Sequence, residues 1–221
     1  MTLVEALHEL GITPPQRAVR VAVVDSGVYA DHPHVQGIAR GVSLVEGADP
    51  VDFVDRNGHG TAVTAAIREK APAAEIIAIK IFDRTLAASA HGLARAIERA
   101  ADEGADLINL SLGTTNPAHA ELLQATVTRA RVHGALVVSA GEQAGVPSLP
   151  GSLRGVVAVS VDWDIDRDEV AVEAASADAI RLRASGYPRP IPGVSRERNL
   201  KGISFAVANA TGVIARALRS A

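Results

Sequence analysis

The chain has 221 residues, of which 48% are hydrophobic but only 3% aromatic, and its formal net charge is -3. This length allows one sizeable core built from aliphatic side chains, so we expect a single domain over residues 1–221. Because there is no cysteine, disulfides and thiolate metal sites are excluded. The scattered charges argue against a nucleic-acid groove, and no apolar run is long enough for a membrane span.

The amino-terminal segment predicts a short helix. Thr2 and Glu5 match the capping-box pattern, and Gly11 is placed to end the helix. The segment has no basic start and carries acidic residues in its first turns, which is unlike a signal peptide. We therefore expect a cytoplasmic protein without a propeptide.

Short, nearly continuous β-branched runs alternate with helical patterns along the chain. Strands are predicted at 19–24, 76–82, 107–112, 136–139 and 156–161, and helices at 60–70, 89–103, 116–134 and at the carboxyl terminus. Continuous apolar runs are typical of strands buried on both faces of a parallel sheet. Residues 162–200 are more charged and rich in Pro and Gly, with short strands predicted at 170–172 and 180–182. The order predicts a three-layer α/β/α fold with a mostly parallel central sheet.

Three polar residues each stand in a structured context. Asp25 ends the apolar strand of V-A-V-V-D-S-G-V, where α/β sheets place their sites. His59 lies between two glycines in N-G-H-G-T, just before a predicted helix. Ser204 lies in G-I-S-F-A at the mouth of the last helix, whose free N–H groups favour a developing negative charge. Read singly, these are a turn aspartate, a loop histidine and a helix-capping serine; together, in the order Asp, His, Ser, they indicate a serine hydrolase triad.

Together with these three motifs, longer segments resemble the subtilisin-like serine peptidases over nearly the whole chain. They are A-L-H-E-L-G-I-T, A-P-A-A-E-I-I-A-I-K-I-F, A-D-L-I-N-L-S-L-G, and G-A-L-V-V-S-A-G followed by P-G. The resemblance implies that Asp25 orients His59, that His59 is the general base and then acid, and that Ser204 is the nucleophile.

The same resemblance implies where a peptide substrate binds. The segment Ser111, Leu112 and Gly113 is expected to pair with the substrate backbone. With Ser139, Ala140 and Gly141 it is expected to line the primary specificity pocket. The loops that hold calcium in many members are not recognisable, so we expect no metal and no cofactor.

The chain departs from the family pattern at the oxyanion hole. Members usually carry Asn after A-A-G, and its amide donates to the oxyanion. Counted forward from Gly141 the position is Glu142, and counted back from Gly145 it is Gln143. An ionised carboxylate cannot donate, whereas the Gln143 amide or a protonated Glu142 can. The motif G-T-S-x-A-x-P is also altered, with Ile203 for Thr and Ala208 for Pro.

The sequence is compared with three classes of function. The first is a cytoplasmic serine endopeptidase acting on a peptide or protein substrate, slow or dedicated to a narrow substrate such as the leader of a modified peptide. The second is a catalytically impaired module of the same fold that binds peptides or a partner protein. An esterase of the α/β-hydrolase type is disfavoured, because its G-x-S-x-G elbow is absent and its triad runs Ser, Asp, His.

Overall fold

The computed structural model describes residues 1–83 and 88–220. Within these ranges the helices are α1 (Leu3–Glu9), α2 (His59–Lys70), α3 (Ala90–Asp102), α4 (Ala120–Val132) and α5 (Ile203–Ser220). The strands are β1 (Arg20–Asp25), β2 (Arg40–Ser43), β3 (Glu75–Lys80), β4 (Leu107–Leu110), β5 (Leu136–Ala140), β6 (Glu142–Gln143), β7 (Val146–Pro147), β8 (Val156–Val161), β9 (Val170–Ala175) and β10 (Ile180–Ala184).

Eight of these strands form one sheet in the order β2-β3-β1-β4-β5-β8-β10-β9. All neighbouring pairs are parallel except β9 with β10, which is antiparallel. The central strands β1, β3, β4 and β5 are almost entirely buried, as continuous apolar runs predict. β6 and β7 form a separate small hairpin.

Helices cover both faces of the sheet. Val21 and Val23 of β1 pack into a core shared with α1, α2 and α5, whereas Ala22 and Val24 pack into a core shared with α3 and α4. This alternation follows from the two-residue period of a strand. The predicted three-layer α/β/α fold with a mostly parallel sheet is therefore confirmed.

Helices α2 and α5 approach each other closely at Gly212. A Cβ at Gly212 would lie 2.9 Å from the Cβ of Lys70 and 3.0 Å from the carbonyl oxygen of Ile67. The side chain of Lys70 is fully buried beside this contact, and its Nζ lies 2.7 Å from Glu69 and 3.2 Å from Asp168. The spacing of the two helices is therefore fixed by a residue without a side chain.

The predicted elements appear with shifted ends, and some were missed. The strand predicted at 107–112 is β4, which ends at Leu110. The short strands predicted at 170–172 and 180–182 extend to Ala175 and Ala184. Strand β2 was not predicted, because its Arg40-Gly41 start breaks the apolar run. The hairpin of β6 and β7 was also missed, since both of its strands are exposed.

Replacing Gly212 by valine should destabilise the fold by about 1–3 kcal/mol, because the added atoms overlap α2. The free energy of unfolding from urea denaturation measures this loss. Ala217→Val, at a partly exposed position of the same helix, is the control and should change stability by about 0.5 kcal/mol or less. Equal stability of the two variants would contradict the close contact.

Candidate active site

Asp25 is the last residue of β1 and is 1% exposed. Its carboxylate accepts a hydrogen bond from the backbone N–H of Ser26 at 2.7 Å. It also contacts His59, whose Nδ1 lies 2.8 Å from Oδ1 and 3.0 Å from Oδ2. Because an ionised carboxylate only accepts, Nδ1 is the donor, and Nε2 is left available for another partner.

His59 is the first residue of α2, and glycines let that helix begin against the end of β1. Gly58 has a φ of 93°, in the left-handed region that glycine adopts without strain. A Cβ at Gly60 would lie 2.2 Å from the carbonyl oxygen of Gly27 and 3.1 Å from the Cβ of Asp25. Any side chain at residue 60 would therefore push His59 away from Asp25.

A second carboxylate, Asp55, holds the start of α2. It accepts hydrogen bonds from the backbone N–H groups of Asn57, Gly58 and Thr61 at 2.8–2.9 Å. It also accepts from the hydroxyls of Thr61 at 2.6 Å and Ser26 at 2.9 Å. Burial alone would raise the pKa of Asp55, but these hydrogen bonds outweigh it and lower the pKa. Asp55 therefore stays ionised and caps the helix that carries His59.

The sequence reasoning missed Asp55. The available signal was an acidic residue four positions before the histidine at a helix start, which is the side-chain type that satisfies free helix N–H groups.

The two carboxylates set the protonation of His59. Burial lowers the pKa of His59, but the hydrogen bond and charge of Asp25, with the more distant charge of Asp55, outweigh burial and raise the pKa above its usual value. The imidazolium that forms when Nε2 takes a proton is therefore stabilised.

Ser204 is the second residue of α5, and its hydroxyl donates to the carbonyl oxygen of Ser111 at 3.2 Å. The hydroxyl of Ser111 donates in return to the carbonyl oxygen of Ser204, also at 3.2 Å. In the first turn of a helix, the N–H of Ser204 has no intrahelical acceptor. The ring of Phe205, the next residue, lies 6.0 Å from the His59 ring between centroids. The start of α5 therefore sits beside His59.

Two fully buried polar residues support this arrangement. Thr211 of α5 donates to Asn109 at 3.0 Å, and the Asn109 amide donates to the hydroxyl of Ser111 at 3.0 Å. This chain of hydrogen bonds ties β4 and α5 to the Ser111–Ser204 pair. Asn109 was missed by the sequence reasoning, although a polar residue inside a buried apolar strand is itself a signal.

The predicted substrate segments follow the neighbouring strands β4 and β5. Ser111 and Leu112 are partly exposed and Gly113 is exposed, as a segment that pairs with a peptide requires. Ser139 is fully buried, and its hydroxyl has no hydrogen-bond partner among the described residues.

On the β5 side, Ala140 is 8% exposed, and the partly exposed Gly141 donates its N–H to the carbonyl of Val159 at 2.9 Å. The two predicted substrate segments, 111–113 after β4 and 139–141 at the end of β5, lie at the edge of the sheet where the parallel strands end. Asp25 lies at the same edge.

The two oxyanion candidates occupy strand β6 of the small hairpin. Glu142 and Gln143 are both exposed, and the hairpin turns through Ala144 and Gly145, which have φ values of 51° and 77°. Glu142 also borders a cavity of about 330 Å³ that faces β8 and β10. Which of the two residues donates to an oxyanion stays a prediction.

The described residues, 1–83 and 88–220, contain neither a candidate membrane span nor a candidate metal cluster. No helix there is long and apolar enough to span a membrane. No group of three or more His, Asp or Glu side chains in residues 1–83 and 88–220 is arranged to hold a metal ion.

Known proteins match the chain along most of its length. The model of the Subtilase family matches residues 16–221. Subtilisin Savinase of Lederbergia lenta and an alkaline protease of Shouchella clausii are each 30% identical over an alignment of 220 residues that covers 94% of this chain. The match spans 75% of Savinase but only 53% of the alkaline protease.

Among solved structures, the prenylagaramide maturation protease PagA superposes with a TM-score of 0.68 at 25% identity. That match covers 100% of this chain and 82% of PagA. The fold, the family match over residues 16–221 and the 30% identity to two proteases all indicate the same family. The chain therefore belongs to the subtilase family, the subtilisin-like serine proteases.

Proposed function

We propose that the chain is a serine endopeptidase that cleaves peptide bonds through an acyl-enzyme on Ser204. The observation that carries the proposal is the hydrogen bond of His59 to the buried Asp25, with the charge of Asp55 nearby, next to a serine at the start of α5. Buried aspartate, oriented histidine and a serine hydroxyl are the three parts that this chemistry needs.

In the proposed reaction, the Ser204 hydroxyl first turns from the carbonyl of Ser111, to which it donates. Its oxygen attacks the scissile carbonyl carbon while His59 Nε2 takes the proton. The carbonyl oxygen becomes an oxyanion, which the free N–H of Ser204 and one further donor stabilise. His59 then gives the proton to the leaving amine, and water repeats the sequence on the acyl-enzyme to release the acid.

The substrate is proposed to be a narrow class of peptides. PagA, which covers the whole chain at 25% identity, is described as a maturation protease. Counted forward from Gly141, the exposed acidic residue Glu142 takes the place of the family's usual neutral donor, and that register favours slow turnover. A cytoplasmic place of action stays a prediction.

A second candidate function is a peptide-binding module with impaired catalysis. It is favoured by the Ser204 hydroxyl, which donates to Ser111 rather than to His59. Glu142 also favours this function if it takes the donor position, because an ionised carboxylate cannot donate to an oxyanion.

A fluorophosphonate probe should label the wild-type chain at Ser204, because an activated serine attacks phosphorus as it attacks a carbonyl. Labelling is measured by mass spectrometry of the modified peptide. It should be lost in Ser204→Ala and kept in Ser176→Ala, a control in the exposed turn between β9 and β10. A folded wild type that takes up no probe across the neutral and alkaline range would favour the binding module.

Activity should rise with pH, with the half-maximal kcat/KM above pH ~6.5, because His59 must be neutral to act as base and its pKa is raised. Asp55→Asn removes a negative charge near His59, so the inflection should move to lower pH. It should also lower kcat, because the start of α2 loses part of its cap. The surface variant Asp164→Asn is the control, and an inflection equal in both variants would refute the role of Asp55.

Glu142→Asn should raise kcat at neutral pH by about tenfold or more, because an amide can donate to the oxyanion. Removing such a donor from a subtilisin lowers kcat by about a hundredfold to a thousandfold. Steady-state kinetics on one peptide measure the change, with Gln143→Ala as the matched variant. If Gln143→Ala lowers kcat and Glu142→Asn leaves it unchanged, Gln143 is the donor.

A further inference from the structure

A second cleft borders the site on the side of α2. Its volume is about 450 Å³, and its walls are mainly apolar side chains from three segments: Tyr29, Ala62, Ala65, Pro188, Ile191 and Leu200. Tyr29, Ile191 and Leu200 are 50%, 47% and 56% exposed, so they present apolar surface to solvent. Large apolar side chains left in water around one concave site are typical of a ligand-binding surface.

The position of this α2 cleft relative to the triad assigns its role. Gly58 and Thr61, which flank His59, line the cleft, and Leu200 stands four residues before Ser204. The segments expected to bind the acyl part of a substrate follow β4 and β5, and Ser204 contacts Ser111 in the first of them, whereas the cleft is lined by residues that follow β1 and by α2. Because His59 protonates the leaving amine, the chain beyond the cut bond must pass over His59. It then reaches the α2 cleft.

Basic residues lie in one wall of the cleft and next to its lining residues in the sequence. Arg189 lines it, and Arg198 and Lys201 flank the lining residues Asn199 and Leu200. Within the part of the chain that the structure describes, none of these three cations forms an ion pair with a carboxylate. Arg189 instead donates to the carbonyl oxygen of His34 at 3.3 Å.

Acidic groups near the cleft do not cancel this charge. Asp55 is the one carboxylate among its lining residues in the described chain, and five hydrogen bonds already satisfy it. The adjoining segments carry two more carboxylates, Asp31 and Glu197, which are fewer than the three cations Arg189, Arg198 and Lys201. Burial, and then the charge of Arg189, lower the pKa of His34, so this histidine adds no positive charge at neutral pH.

We propose that the α2 cleft binds the leaving-group side of the substrate. It takes an apolar side chain about two or three residues beyond the cut bond, from a segment that carries acidic residues next to it. The apolar walls accept the side chain, and Arg189, Arg198 and Lys201 face the carboxylates. The proposal deepens the peptidase function and rests on it for the direction of the peptide.

The first test measures binding without turnover. Fluorescence anisotropy follows a short labelled peptide, a leucine followed by aspartates, with the Ser204→Ala chain. Exchanging leucine for alanine should weaken binding about tenfold, because the pocket loses a branched side chain. Exchanging the aspartates for lysines should abolish binding at low salt.

Matched variants assign the effect to the cleft. In the Ser204→Ala background, Leu200→Ser should weaken binding of the leucine peptide, whereas Val132→Ser, an exposed valine on α4, should not. Lys201→Glu should weaken binding of the acidic peptide, and Arg95→Glu on α3, across the sheet, should not. Equal binding of the leucine and alanine peptides, or equal effects of cleft and control variants, would overturn the proposal.

A kinetic comparison separates this proposal from the proposed function. With active enzyme, Leu200→Ser should lower kcat/KM for a peptide extended past the cut bond but not for a p-nitroanilide with the same acyl half. A loss on both substrates would overturn the assignment to the leaving-group side. Peptide binding without probe labelling of Ser204 would refute the peptidase function and leave the cleft as a binding site.

Discussion

The close contact of α2 and α5 is the constraint on which the site depends. Each helix starts at the edge of the sheet where the parallel strands end, and each carries one member of the proposed triad in its first turn. Gly212 lets the two axes approach until Ile67 and Lys70 touch α5. The packing of the two helices therefore sets where His59 and Ser204 stand, and the loop residues Asp55 and Ser111 hold the starts of the helices in place.

The second constraint is electrostatic, because the site places two negative charges, those of Asp25 and Asp55, near one histidine, His59. Asp25 is buried at a strand end, where desolvation is offset by the Ser26 N–H and by His59. Asp55 is stabilised by a cluster of N–H and hydroxyl donors, and its negative charge helps to raise the pKa of His59. Such a preorganised field needs no rearrangement when the imidazolium forms.

Much of the fold could be predicted from the sequence, because buried parallel strands are read from continuous apolar runs such as 19–24. The triad could be proposed because each member sits beside a glycine or a strand end. Asp55 and Asn109 were missed, since their roles depend on partners distant in sequence, such as Thr211. Strand β2 and the hairpin of β6 and β7 were missed because backbone pairing, rather than apolar pattern, defines them.

The placement of Ser204 on the last helix has a consequence for synthesis. Helix α5 packs against α2 and against β4, β5, β8 and β10, so it covers a large part of the face of the sheet that it shares with α1 and α2. A nascent chain that has emerged only as far as β10 holds Asp25 and His59 but lacks Ser204 and the part of that face's cover that α5 supplies. The proposed triad therefore becomes complete in the same docking step that completes this core, so a partly made chain lacks the serine on which the proposed cleavage depends.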